Sequence, residues 1–187
     1  MKRILFALLA ACLLLVPALQ SAAQYGDEPS PKLSVKLGVY SPFGTKFRDN
    51  IDSLWRNMGL EYAVRSDELD RPLIVASAMA TSSDSELVEA SMVSLQAEKR
   101  WYTNKEEGSS LYYGAGLGWY FLKARNRDSA FFEWEERSGG KLGITAALGY
   151  QYRESGFGEV RLNYSGELAN GLDFSGISVN FGMRLAF

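Results

Sequence analysis

Along eight stretches of the chain apolar and polar side chains alternate one by one, the period of an extended strand whose two faces meet different surroundings. The clearest is Leu111–Leu122, with Tyr113, Ala115, Leu117, Trp119 and Phe121 on one face and Tyr112, Gly114, Gly116, Gly118 and Tyr120 on the other. Val88–Tyr102 sets Val93, Leu95, Ala97 and Trp101 against Ser94, Gln96, Glu98 and Arg100. The same pattern predicts strands over Lys32–Tyr40, Leu54–Arg65, Lys141–Arg153, Gly158–Ser165 and Ile177–Phe187. Pro72–Thr81 alternates least: Leu73, Val75 and Met79 are interleaved with Ala76, Ala78 and Ala80, which leaves its pairing open.

Polar connectors rich in Gly, Ser and Asp separate the eight segments, with no helical repeat between them. An even strand count fits a closed sheet, so the fold class expected is all-β, an eight-stranded antiparallel up-and-down transmembrane β-barrel. Alternation alone does not say which face is out, because a soluble lipocalin-like ligand-binding barrel shows the same period with its apolar set inward. The polar face decides between them. Gly114, Gly116, Gly118, Gly149 and Gly182 on a wet exterior would weaken strands without solubilising them, whereas inside a narrow barrel they make room for large neighbours. The same face carries Glu61, Arg65, Glu98, Arg100, Glu159, Arg161 and Arg184, opposite charges that can pair in a closed polar lumen. A hairpin centred near Glu106 would set Gln96 opposite Gly116, Glu98 opposite Gly114 and Arg100 opposite Tyr112.

The aromatics fit an apolar band with a girdle at each edge. Tyr113 and Phe121 lie eight residues apart on one face, which in a tilted strand is about 20 Å along the barrel axis, against a lipid band about 25 Å tall. Trp101, Tyr113, Tyr150, Tyr152 and Phe187 are expected at one girdle, and Trp119, Phe121, Tyr164 and Tyr40 at the other.

The N-terminus adds a compartment. Lys2 and Arg3 precede an apolar run, Ile4–Val16, and a small-residue site, Ser21-Ala22-Ala23. That is the layout of a secretory signal peptide over residues 1–23, leaving 24–187 as the barrel domain. The run is shorter than the roughly 18–20 residues that span a bilayer. Cys12, the only cysteine, falls within it. Without Lys2 and Arg3 the 20 basic residues become 18 against 22 acidic, a net charge of −4 that disfavours nucleic acid.

The last strand places Ile177, Val179, Phe181, Met183, Leu185 and Phe187 on one face and stops on an aromatic. This ending resembles the C-terminal signal of bacterial outer-membrane β-barrels. With the signal peptide, the eight alternating segments and the Tyr112-Tyr113-Gly-Ala-Gly-Leu-Gly-Trp119-Tyr120-Phe121 strand, the chain resembles the small eight-stranded barrels that include OmpX-like proteins and the OmpA-like transmembrane domain. The resemblance implies residence in the outer membrane of a Gram-negative-type bacterium as a monomer surrounded by lipid. It also implies that Phe181, Met183, Leu185 and Phe187 are read by the barrel-assembly machinery. It identifies an architecture, and a function drawn from it is an analogy.

Chemistry is bounded by the absence of histidine, the side chain best suited to general-base work at neutral pH. No phosphate loop, zinc spacing or calcium loop stands in the sequence, so neither an enzyme nor a cofactor is expected. Eight strands enclose only enough room for side chains, which makes a small-solute channel a lesser alternative. The longest connector, Lys123–Gly140, holds Phe131, Phe132 and Trp134 among acidic residues. Exposed aromatics of this kind are candidates for contact with an extracellular protein or other surface partner. Ser41–Ser53, with Phe43, Phe47, Arg48 and Asp49, is a second candidate and is expected to form a folded cap over the barrel mouth.

Overall fold

The computed structural model describes residues 33–45, 47, 53–67, 71–85, 88–103, 109–126, 136–152, 156–168 and 172–185. Its strands are β1 (Leu33–Pro42), β2 (Trp55–Ser66), β3 (Pro72–Asp84), β4 (Val88–Tyr102), β5 (Ser110–Asn126), β6 (Glu136–Tyr152), β7 (Gly156–Tyr164) and β8 (Gly176–Leu185). Each pairs antiparallel with the next, and β8 returns to β1 to close the barrel. Closure leaves no open sheet edge along the body of the barrel.

The period of two now has a physical meaning. Leu37, Leu117, Ile144, Leu148, Phe181 and Met183 stand outward and exposed, while Lys36, Glu61, Glu98, Arg100, Glu159 and Arg161 are buried inside. This reverses the arrangement of a water-soluble barrel, which would hide its apolar set. On β3 the inward residues are Val75, Ser77, Met79 and Thr81, and the outward ones include Ile74, Ala76 and Ala80. The alanines form the outer face there, which is why the apolar pattern of this segment was ambiguous.

Three details differ from the sequence expectation. The β4–β5 register is displaced by one pleat: Gln96 pairs with Gly118, Glu98 with Gly116 and Arg100 with Gly114. Inward parity survives a two-residue shift, so large side chains still meet glycines. Tyr40, expected in the outer aromatic girdle, is only 1% exposed and points into the lumen, as its even position beside Val39 requires. Arg65, expected in the lumen, is exposed. The β2–β3 register shifts between Ala63 and Arg65, so Ala63 faces Val75 while Arg65 faces the outward Ile74. A bulge of this kind inserts one residue and turns those after it to the opposite face.

The barrel is also uneven in height. β5 and β6 have 17 residues each, against 9 in β7 and 10 in β8. Their ladder continues to Arg125↔Glu136, where Lys123 and Glu136 form an exposed ion pair at 3.0 Å. From Glu136 to Gly143, β6 is paired with β5, and its ladder with β7 begins only at Ile144↔Tyr164.

Gly149 shows what the interior requires. A Cβ there would lie 2.5 Å from Tyr112 Cε1, whereas at the outward Gly158 the nearest atom would be a Phe181 ring carbon at 3.6 Å. Gly149→Ala is therefore expected to lower stability by about 1–3 kcal/mol through overpacking. Gly158→Ala should leave it unchanged or raise it. Urea titration of the refolded protein checks both, and equal losses would contradict the packing described.

Candidate functional site

The largest concentration of chemistry lies in the half of the lumen nearer the strand ends Leu33 and Leu185. Six charged side chains from four strands meet there: Lys36 on β1, Glu61 on β2, Glu98 and Arg100 on β4, and Glu159 and Arg161 on β7. Residues two apart on one strand share a face, so β4 and β7 each deliver a Glu and an Arg side by side.

Arg100 forms a fork on Glu61, donating from Nη1 to Oε1 at 2.8 Å and from Nη2 to Oε2 at 2.6 Å. Its Nε donates to Glu98 Oε1 at 2.6 Å. Arg161 donates from Nε to Glu159 Oε1 at 3.0 Å and from Nη1 to Gln96 Oε1 at 2.9 Å. It also meets Glu98 Oε2 at 2.7 Å, a charge contact without hydrogen-bond alignment. Lys36 Nζ bridges Glu61 Oε2 at 2.5 Å and Glu159 Oε1 at 3.0 Å. Tyr112 completes the shell by donating its hydroxyl to Glu159 Oε2 at 2.9 Å, and its ring lies 4.6 Å from the Arg100 guanidinium.

Three cations face three carboxylates, so the cluster is electroneutral. That balance is what allows it to be buried. Removing ions from water costs several kcal/mol each, and only close geometry with further hydrogen bonds offsets it. Asn180 and Gln96 supply such bonds, and Gln96 carries the network on to Asn163 and, through it, to Tyr120.

The sequence-named lumen residues therefore divide. Glu61, Glu98, Arg100, Glu159 and Arg161 meet in one cluster. Arg184 is buried nearer the strand end and donates to Gln151 Oε1 at 2.8 Å. Arg65 is outside. Lys36 was not among the named lumen charges, although it is fully buried at the centre of the cluster; its parity on β1, opposite Leu37, was the available signal. On β8, Phe181 and Met183 stand outward, and Leu185 ends the strand. Phe187, Phe131, Phe132, Trp134 and the segment 1–23 lie outside the described residues.

The geometry of the cluster is that of ion pairing and packing. Among the described residues no group of three or more His, Cys, Asp or Glu is placed to hold a metal ion. All six charges are engaged with one another.

No protein-family model matches the sequence, and no curated protein matches it. Among solved structures the chain is similar to Neisserial surface protein A (NspA), with a TM-score of 0.52 and 11% identity over 83% of this chain and 95% of that one. It also matches the N-terminal β-barrel domain of Pseudomonas aeruginosa OprF, with a TM-score of 0.48, 13% identity and coverage of 83% and 97%. A third match is Ail, the attachment invasion locus protein of Yersinia pestis, with a TM-score of 0.42, 15% identity and coverage of 82% and 95%. At these identities the likeness to NspA speaks to the fold alone.

Stripping Arg100 of its charge leaves Glu61 and Glu98 buried without their main partner, a change that costs about 3–5 kcal/mol. Arg100→Met should therefore destabilise the barrel strongly, and Arg65→Met should leave the unfolding midpoint unchanged. A double-mutant cycle on Glu61 and Arg100 should show strong coupling. Additive effects of the two substitutions would contradict the cluster.

Proposed function

We propose that this chain is an integral outer-membrane barrel whose role is structural or is exercised by contacts at its surface, with a closed lumen and no catalysis. The observation that carries the proposal is the inverted distribution of side chains. A continuous apolar exterior surrounds an interior of paired charges, and a lipid surround is the setting in which that arrangement is favourable. A lipocalin-like barrel would need its apolar side chains inside and space for a ligand. Here the inner half-lumen is occupied by ion pairs.

Residues 1–23 then act as the export signal, and the chain is delivered to the outer membrane after their removal. The ends of β1 and β8 face the periplasm. The longest ladder, β5–β6, rises on the outer side, and the connector joining its two strands carries Phe131, Phe132 and Trp134 as the candidate contact with an extracellular partner. Aromatic side chains on the barrel wall mark the lipid boundaries: Trp101 stacks on Tyr113 at 5.4 Å with Lys99 over the Trp101 ring on the inner side, and Trp119 lies against Phe121 on the outer.

The deciding measurement is cell fractionation with heat-modifiable gel mobility. The protein should be found in the outer-membrane fraction and migrate differently with and without boiling; a soluble periplasmic species would favour the ligand-binding barrel. Depth supplies a second test. Leu117 stands outward at mid-strand, so Leu117→Arg should cost about 2–4 kcal/mol in refolding from urea into lipid, and Phe121→Arg less. Equal costs would argue for a wet exterior. A third concerns assembly: deletion of Leu185–Phe187 should reduce the assembled barrel and leave precursor in the periplasm.

A further inference from the structure

The charged cluster fills only part of the lumen. Toward the opposite mouth the inward positions turn apolar, with Tyr40, Trp55, Met92 and Leu122 buried among them. Described residues from two connectors lie against them. Phe47, from the β1–β2 connector, packs edge-on to Trp55 at 5.2 Å and to Phe174 at 4.7 Å, and Phe174, from the β7–β8 connector, lies 6.0 Å from Trp55. All three rings are at most 1% exposed.

Hydrogen bonds to and from the backbone hold the described parts of these connectors in this position. The Tyr40 hydroxyl donates to the Phe174 carbonyl, and the Phe43 N–H donates to the Ser175 carbonyl at 2.7 Å. The Leu168 N–H donates to the Leu172 carbonyl at 2.9 Å, and the Ser175 N–H to Asp173 Oδ1 at 2.8 Å. A segment from each end of the sequence is thus fastened to the other across the β1–β8 seam.

We propose that the lumen is closed twice, by the ion cluster and by this aromatic cap stacked on it, and that either layer alone blocks ions. The two barriers act by different physics. An ion crossing the cluster must displace paired charges, whereas one crossing the cap must shed its water in an apolar medium. Opening one layer leaves the other intact. The cluster is then not the gate of a channel, and the cap also fixes the β1–β2 and β7–β8 connectors at the outer mouth.

This inference rests on the membrane-barrel reading, and its test separates the two. Four proteins are inserted into planar bilayers after heat-modifiable mobility confirms a folded barrel: wild type, Glu61→Gln with Arg100→Gln, Phe47→Ser with Phe174→Ser, and all four substitutions together. The first three should stay closed, and the fourth should conduct at least about tenfold more often than wild type. Steady conductance by either two-residue variant would overturn the double closure, as would silence of the four-residue variant.

If a variant fails to fold, fluorescence of an otherwise unaltered barrel decides. A protein retaining Trp55 alone, with Trp101, Trp119 and Trp134 replaced by Phe, should resist quenching by both iodide and brominated acyl chains. Free access of either quencher to Trp55 would overturn the cap. A protein retaining Trp119 alone should be quenched by the brominated chains; absence of that quenching would count against the membrane reading instead.

Discussion

Ten Cα pairs, from Leu33↔Leu185 to Pro42↔Gly176, join the first strand to the last, and the rest of the structure depends on this seam. An open sheet of eight strands would present two rows of unpaired backbone groups, which hydrocarbon cannot satisfy. Once β1 and β8 are joined, the two faces of every strand become an inside and an outside. Lys36 is brought between Glu61 and Glu159, although 123 residues separate it from the latter. The cluster and the barrel closure are therefore mutually dependent.

The interior is a problem of volume as much as of charge. Eight strands leave room for side chains alone, and the structure meets this by setting bulky groups against glycines: Arg100 beside Gly114, Glu98 beside Gly116, Tyr112 beside Gly149. Electroneutrality then settles which bulky groups are tolerated. A seventh charge without a counter-ion in the cluster would carry the full desolvation cost, and the bulge that turns Arg65 outward keeps one from joining it.

With the lumen filled by an ion cluster and an aromatic cap, the surfaces left for interaction are the outer wall and the mouths. The wall is apolar and suited to lipid. The mouth on the aromatic side of the lumen is asymmetric, low where the cap is tied beside β1 and β8, and high along β5–β6. The tallest ladder, β5–β6, ends at the pair Arg125↔Glu136. On the function proposed above, such a barrel contributes a rigid mount, and recognition is assigned to the connectors.

The sequence by itself determined the strand count and, along regular strands, the face on which a side chain lies, because a period of two is local: parity along β4, β5 and β7 carries Glu98, Arg100, Gly114, Gly116, Glu159 and Arg161 to one side whatever the partners are. It also argued the sign of the barrel, since a face of glycines and charges makes a poor wet exterior. Register was decided by tertiary structure. The β4–β5 pairing differs by two residues from the simple hairpin, and the β2 bulge removes Arg65 from the lumen, because both depend on turn geometry and cross-strand packing that periodicity does not encode. Lys36 had the right parity and no visible partner until closure supplied two. The cap was legible in part: Ser41–Ser53, with Phe43 and Phe47, reads as a fold over the mouth, and Phe47 is indeed buried against Trp55, whereas Phe174, in a connector without periodicity, gave no such signal and meets Phe47 only when the chain's first and last strands have been joined.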